Sequence, residues 1–513
     1  MVAATLICST SVVTAQTVEP SQTLTEIVKK KDCTVFTFNY PSVSAAGEDV
    51  VLSSALFAWT PADRQEADGI ESLHIYSHIT VTADKERLTT TEGLSKEQTL
   101  LDFFPSRAYS DGEANYVSRC IVIAPDYEGY GVTKDKPHPY LSQRVTARQV
   151  IDAVRYGLEL YQQEAKGSTT LLPLKSDWRS FCMGYSQGGA VSLAVHREIE
   201  EQGLADELHF QGTICGDGPY DLVATMRYYL EDDGTSYGVE TPHRKGKATL
   251  PVVVPMIIKG LCETHPAMKP YGLESFMTQQ LLDTGILDWI DSKEYTTGDI
   301  SELWYHQLQD GISGDGFNYT PEQMAELFES PSWGKVWGKM DKFFTPAIYE
   351  YMSDASNFDA VPEEPANAAQ ALHRALADNS VVTGWEPQHR IQFFHSKADV
   401  IVPYGNYLSF RDAHLQDENS MYRIDDTFSA SDHFDAGTVF MMTLLTLKSY
   451  GSCFNWICEG NMPTGIDEMA DVRDKRPEVW YDLSGRRLAG KPTQQGIYIY
   501  GGRKVVITPN HLR

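Results

Sequence analysis

Phe181-Cys182-Met183-Gly184-Tyr185-Ser186-Gln187-Gly188-Gly189-Ala190-Val191 is the stretch on which the reading of this chain turns. Gly184-Tyr185-Ser186-Gln187-Gly188 fits Gly-x-Ser-x-Gly, the nucleophile elbow, in which a serine sits on a tight strand-to-helix turn with its hydroxyl pushed out above a sheet. Glycines on either side remove the Cβ atoms that would keep helix and strand apart. The pattern alone is weak, because Gly234-Thr235-Ser236-Tyr237-Gly238 matches it too. Context separates the two. Ser186 follows an apolar run and precedes Val191, Ala194, Val195 and Ile199 at helical spacing, whereas Ser236 follows Glu231-Asp232-Asp233 and precedes Thr241-Pro242, a polar loop.

Outward from the elbow, β-rich runs alternate with helical ones, the pattern of a mostly parallel sheet covered on both faces. Thr34–Tyr40 and Val50–Trp59 read as an opening antiparallel pair. Leu73–Thr80, Cys120–Pro125, Trp178–Gly184, His209–Cys215, Arg390–His395 and Met421–Thr427 follow as core strands, which predicts an eight-stranded, mostly parallel α/β sheet. Val145–Tyr161, Gly189–Gln202, Tyr404–Leu415 and Ala436–Tyr450 carry helical spacing. Between residues 222 and 388 aromatic-rich segments such as Leu273–Ile290 and Ser301–Leu308 replace a single crossover, so an inserted helical cap is expected there. Residues 17–460 then form one α/β domain and residues 464–513 a small β module, with Asp482-Leu483-Ser484-Gly485 and Gly501-Gly502 as turn signals.

A serine hydroxyl needs a histidine to take its proton and a carboxylate to hold that imidazole in the right tautomer. An elbow of this kind orders them serine, acid, histidine along the chain. Among late histidines, His414 reads as mid-helix and His511 falls in the terminal module, which leaves His433 in Ser431-Asp432-His433-Phe434-Asp435. Asp399, in Lys397-Ala398-Asp399-Val400-Ile401-Val402-Pro403, stands just past a buried strand and is the expected acid; Asp217, beyond the strand ending at Cys215, is the alternative. The oxyanion of such a site takes one backbone N–H from the residue after the nucleophile, Gln187, and a second from the loop holding Ser77, His78 and Ile79, with His78 the candidate. Tyr127 and Tyr130 either line the mouth or pack their own loop.

Composition sets outer limits. A net charge of −27 over 513 residues repels phosphate backbones, so a nucleic-acid partner is not expected. Apolar Val2–Cys8 and Val12–Val13, followed by Thr14-Ala15-Gln16, predict a signal peptide over residues 1–16, although no Lys or Arg precedes the run. No other stretch approaches the length of a membrane span. Eight cysteines form no Cys-x-x-Cys pair, so no zinc site is expected, and Cys453 and Cys458 are the pair spaced to bridge after export.

Pro125-Asp126-Tyr127-Glu128-Gly129-Tyr130-Gly131, the elbow, the Asp399 turn and the His433 loop together resemble the α/β-hydrolase superfamily, and more loosely its secretory lipase-like branch, over about Leu73 to Tyr450. What the resemblance implies is a secreted or cell-surface carboxylic-ester hydrolase using Ser186, Asp399 and His433, with a cap shaping the acyl pocket, a small-molecule or lipid ester as substrate, and no metal or cofactor. Glu478–Ile507 resembles the C-terminal sorting segments of type IX secretion, which implies the secretion machinery as a partner. Two other readings stay open: a peptidase, since prolyl-oligopeptidase-like enzymes share the triad order and a capping domain, and a non-catalytic binding protein on the same scaffold.

Overall fold

The computed structural model describes residues 18–30, 32–62, 68–96, 119–311, 319–358, 360–426, 431–446 and 448–460, with residues 480–481, 488, 492, 496–500 and 503–507 near the C-terminus. The expected signal peptide, His511 and the turns Asp482–Gly485 and Gly501–Gly502 lie outside the described residues. Two compact units divide the chain, Met1–Ile457 and Cys458–Arg513.

A single twisted sheet organises the first unit. Its strands are β1 (Thr25–Lys29), β2 (Cys33–Val43), β3 (Asp49–Trp59), β4 (Ile70–Ser77), β5 (Cys120–Pro125), β6 (Leu174–Tyr185), β7 (Phe210–Gly216), β8 (Arg390–Phe394) and β9 (Tyr422–Asp425). They lie in the order β1-β2-β3-β5-β4-β6-β7-β8-β9. The sheet has nine strands rather than the expected eight. The addition is β1, a five-residue edge strand whose Thr25, Glu26 and Lys29 face solvent and whose pairing with β2 is interrupted by a register shift. A short, polar edge strand gives no alternating signal, which is why periodicity misses it. Orientation is mixed: β1 to β2, β2 to β3 and β3 to β5 are antiparallel, and every later pairing is parallel.

Parallel strands covered on both faces are apolar throughout, and every residue of β5 is buried. Helix α1 (Gln143–Ala165) packs Val150, Ile151, Val154, Leu158 and Tyr161 into the sheet core, and α2 (Gln187–Glu201) adds Val191, Ala194, Val195 and Ile199. Further helices are a short one at Thr91–Lys96, α3 (Gly405–Ala413), α4 (His433–Thr446) and α5 (Lys448–Gly460), so the single expected helix Ala436–Tyr450 starts three residues earlier and is followed by a second. Cys453 and Cys458 both lie on α5. Five residues at ~100° each leave the two side chains about 140° apart around the axis, which rules out the bridge that their spacing suggested.

Residues 222–376 build a second apolar core with Tyr140 and Leu141, centred on Trp304, Phe343, Phe344, Ile257 and Leu372. Local sequence writes its helices. Asp221 caps Leu222–Glu231 by accepting from the amides of Val223 and Ala224, and Thr296 and Asp299 form a capping box before Thr297–Asp310, which Gly311 ends in the left-handed region at φ 65°. Leu273–Ile290 is not one helix. It is a 3-10 turn at Leu273–Ser275 and short helices at Gln279–Leu282 and Ile286–Ser292, separated by Gly285 at φ 77°.

The second unit holds a three-stranded antiparallel sheet of Trp480–Tyr481, Gly496–Tyr500 and Arg503–Ile507. Among the described residues no helix is long and apolar enough to cross a membrane.

The junction of β6 and α2 is the tightest backbone contact at the strand ends. A Cβ on Gly188 would stand 2.0 Å from the Ser77 carbonyl oxygen, and one on Gly184 2.3 Å from that of Gly188. Gly188→Ala is therefore expected to lower stability by about 1–3 kcal/mol, the range for forcing a methyl into a filled site, read as a fall in the urea unfolding midpoint at unchanged slope.

Candidate active site

Ser186 follows β6 directly and is the N-cap of α2, with φ 57° and ψ −126°. A non-glycine residue in that region costs roughly 1–3 kcal/mol, so its surroundings must hold it. They do: β6 runs between β4 and β7, with Gly184 beside Ser77 and Cys215, and the Ser186 amide donates to the Gly216 carbonyl at 2.9 Å. The hydroxyl is thereby fixed at the carboxyl edge of the sheet, where ligands of open α/β sheets sit.

Two further loops on the same edge complete a line of hydrogen bonds. Residue His433 opens α4, after β9, and its Nε2 lies 2.9 Å from Ser186 Oγ. Its Nδ1 lies 2.5 Å from Asp399 Oδ2, in the turn after β8. The other oxygen of Asp399 accepts from the amides of Ile401 and Val402 at 2.8 and 2.9 Å. Burial alone would raise the Asp399 carboxyl. The His433 imidazole and its hydrogen bond, with His395 and the Val402 amide, outweigh that and hold it below the usual carboxylate value. An imidazole hydrogen-bonded at both nitrogens in this way can accept the Ser186 proton and be stabilised as it charges.

Sequence reasoning missed the side chains that tie these loops together. Tyr185, the variable residue of the elbow, donates its hydroxyl to the His433 carbonyl at 2.7 Å, and Ser396 donates to the Ser431 carbonyl at 2.6 Å, joining the acid turn to the histidine loop. Both contacts span tens to hundreds of residues, and no local pattern announces them. Asp217, the alternative acid, accepts from the Ser396 amide at 2.9 Å, while the Nδ1 bond of His433 goes to Asp399. Ser236 is exposed on a turn, and His414 caps the end of α3, with its Nε2 on the Val382 carbonyl.

Gln187 begins α2, and its side-chain Nε2 reaches His138 Nε2 at 3.2 Å. His78 is buried, its ring stacked on Tyr127 at 4.0 Å between centroids and its Nδ1 at the Ile79 carbonyl. The next two residues, Ile79 and Thr80, face the cavity. Tyr127 and Tyr130 are fully buried and pack their loop; the tyrosines on the cavity are Tyr76, Tyr140, Tyr185 and Tyr229.

That cavity encloses about 380 Å³ and opens directly onto Ser186 and His433. Thr225, Tyr229, Leu250, Val253, Ile257 and Thr297 from residues 222–376 line it, together with Tyr140, Leu141, Ile401, Val402, Phe434 and Met441. Among its described lining residues none is an acid, lysine or arginine. The size and apolar lining suit a small organic group.

Among the described residues, three clusters of His and acidic side chains have ligating atoms within 4.8 Å of one another, at His196-Glu200-His389, Asp217-His395-Asp399 and Glu386-His414-Asp417. In the first, Glu200 Oε1 already accepts from both rings and from the amides of Gln388 and His389. In the second, Asp399 serves His433 and His395 donates to the Val402 carbonyl. Both are hydrogen-bond networks in which Glu200 Oε1, His395 Nε2 and both oxygens of Asp399 are engaged within the protein.

No protein-family model and no curated protein matches the chain. Solved structures do. The rice cell wall degrading esterase LipA from Xanthomonas oryzae aligns over 84% of this chain and 96% of its own length, at 20% identity and a TM-score of 0.56. A candidate hydrolase of Legionella pneumophila aligns over 86% and 92%, at 17% identity and a TM-score of 0.54. At such identities the likeness is one of fold: the chain shares the mixed α/β architecture of these proteins, central sheet and helical layers included.

The geometry makes the imidazole's orientation depend on one carboxylate. Asp399→Asn is expected to retain the fold, by circular dichroism, and to slow covalent labelling of Ser186 by a fluorophosphonate about 10³–10⁴-fold. Labelling at the wild-type rate would remove Asp399 from the relay.

Proposed function

We propose that this chain is a serine hydrolase that cleaves carboxylic esters through an acyl-enzyme on Ser186. The observation that carries the reading is the hydrogen-bonded line Ser186–His433–Asp399 opening into an apolar cavity of about 380 Å³. In the reaction, His433 Nε2 takes the Ser186 proton as Oγ bonds to the ester carbonyl carbon. The oxyanion is received by the amide of Gln187 and an amide of the turn that begins at His78. Collapse breaks the bond to the alcohol, which leaves with the proton from His433. Water then gives a proton to His433 as it attacks the acyl carbon, and Ser186 recovers that proton when the acid departs.

The chemistry of the cavity favours an acyl group over a peptide. A peptidase that recognises a charged terminus or a polar backbone needs charged or hydrogen-bonding side chains along its groove, and the described lining is dominated by Ile, Val, Leu, Tyr and Thr. The esterase among the structural neighbours supports the same choice. The reading extends to location and organisation: a signal peptide over residues 1–16, a hydrolase domain over 17–460 with its cap at 222–388, and a secretion-sorting module over 464–513, which together make the enzyme secreted or displayed at the cell surface.

Purified protein is expected to hydrolyse p-nitrophenyl esters, with the optimum acyl length reporting how much of the cavity is filled, and Ser186→Ala is expected to lower kcat by about 10⁵-fold or more. Release from aminoacyl amides in preference to esters would replace this reading with the peptidase. Undiminished turnover in Ser186→Ala would remove Ser186 as nucleophile.

A further inference from the structure

A second carboxyl group stands behind the acid of the triad. Asp217 follows β7 and is only 2% exposed, and its backbone takes φ 37°, a region tolerated by Asp and Asn. The position is fixed from β8: the Asp217 amide donates to the Phe394 carbonyl at 2.9 Å, and its Oδ1 accepts from the Ser396 amide at 2.9 Å. Carboxyl oxygens of Asp217 and Asp399 and a ring nitrogen of His395 lie within 4.8 Å of one another, all buried.

Two carboxyl groups this close and shut off from water do not both ionise unless a cation faces them. The titratable groups around Asp217 are His395 from the turn after β8, His433 from the start of α4, Tyr185 from the elbow and Tyr220. His395 is kept neutral by burial, pushed down to about 4, and spends its Nε2 proton on the Val402 carbonyl. Both tyrosines are raised by burial and stay protonated. His433 is bonded to Asp399, not to Asp217.

We propose that Asp217 is a positioning residue for the triad: its carboxyl group stays neutral and donates a hydrogen bond to the Asp399 carboxylate, fixing the oxygen that faces His433. The inference rests on the serine-hydrolase reading above. Burial first, and then the charge of Asp399, push the Asp217 carboxyl well above its ordinary value, in the direction opposite to Asp399. The Asp399 carboxylate then accepts from the amides of Ile401 and Val402, from His433 and from Asp217, which nearly fills its acceptor sites. A donor on Asp399 also withdraws charge from it, so Asp217 sets how strongly the relay holds a proton on His433.

The test is the pH dependence of Ser186 labelling by a fluorophosphonate, which requires no knowledge of the ester, in wild type, Asp217→Asn and Asp217→Ala. The side-chain amide introduced by D217N can donate as a neutral carboxyl does, so this variant is expected to keep the midpoint of the acid limb. D217A, which removes the donor, is expected to raise that midpoint by about half a unit or more and to slow labelling about tenfold. A protonated-carboxyl C=O band in the wild-type infrared spectrum that is absent from D217N is the companion readout, and it stands even where D217A does not fold. A downward shift of the limb in D217N, or no such band, would mean that Asp217 is ionised and overturns the inference alone. Failure of wild type to label rejects the serine-hydrolase reading, and the inference with it.

Discussion

The contact on which the rest depends is that of two backbones, where the turn between β6 and α2 lies against the Ser77 and Gly216 carbonyls. It allows no side chain at 184 or 188, and it forces Ser186 to φ 57°. The strain is carried by neighbours fixed independently: β4 and β7 are hydrogen-bonded to β6 along most of their length, and α2 is buried over its apolar face. Loosening that turn would let Ser186 relax into an ordinary helical N-cap and rotate its hydroxyl away from His433. Stability of the sheet is therefore converted into the direction of one O–H bond, which is a link from packing to chemistry.

Everything else at the site is supplied by loops leaving the same edge. Because the strands from β4 onward run parallel, their carboxyl ends gather there, and residues distant in sequence converge: Ser77 at the end of β4 and Ile79 beyond it, Ser186 after β6, Asp217 after β7, Asp399 after β8 and His433 after β9. Hydrogen bonds between the loops, such as Tyr185 to the His433 carbonyl and Ser396 to the Ser431 carbonyl, join these separate segments. The 222–376 core adds the remaining wall. Its apolar packing holds Val253 and Ile257 on the cavity, and Tyr229 and Thr249 tie it to the carbonyls of Ile401 and Val400 in the turn after β8.

How much of this the sequence discloses follows from the range of each interaction. The elbow is legible because glycine spacing, a preceding apolar run and a following helical period are all local, and the same tests dismiss Ser236. Seven of the eight expected strands need little more than boundary changes, as with β4 ending at Ser77 and β6 beginning at Leu174. The eighth, near Met421, is trimmed to Tyr422–Asp425, and edge strand β1 escapes altogether because neither of its faces forms a continuous apolar row. Asp399 and His433 can be picked by chain order, but that Asp217 lies beside Asp399 cannot, since their proximity depends on the pairing of β7 with β8. The cavity wall is illegible for the same reason: Thr225, Tyr229 and Ile257 carry ordinary helical spacing, and only packing decides that they border the serine.

Two acid sites at opposite ends of the parallel strands, one half-buried at Glu200 and one buried at Asp217 and Asp399, show how neighbours decide the charge of a carboxyl group. Near the amino ends, Glu200 on α2 gathers four donors on one oxygen, two rings and two amides, and although burial acts against it, those partners draw it down to about 2. Such a group has one charge state across the whole working range and serves to pin α2 to the segment that leads into β8. At the carboxyl ends, Asp399 and Asp217 are buried beside each other, so the charge of one acts on the other. His433 holds Asp399 down, and burial together with the charge on Asp399 drives Asp217 up. In the reading proposed above such a pair carries a single charge, on Asp399, whose carboxylate is bonded to the His433 ring. One carboxylate is thus held ionised by donors alone, whereas the other two acids differ in charge because each is the other's neighbour.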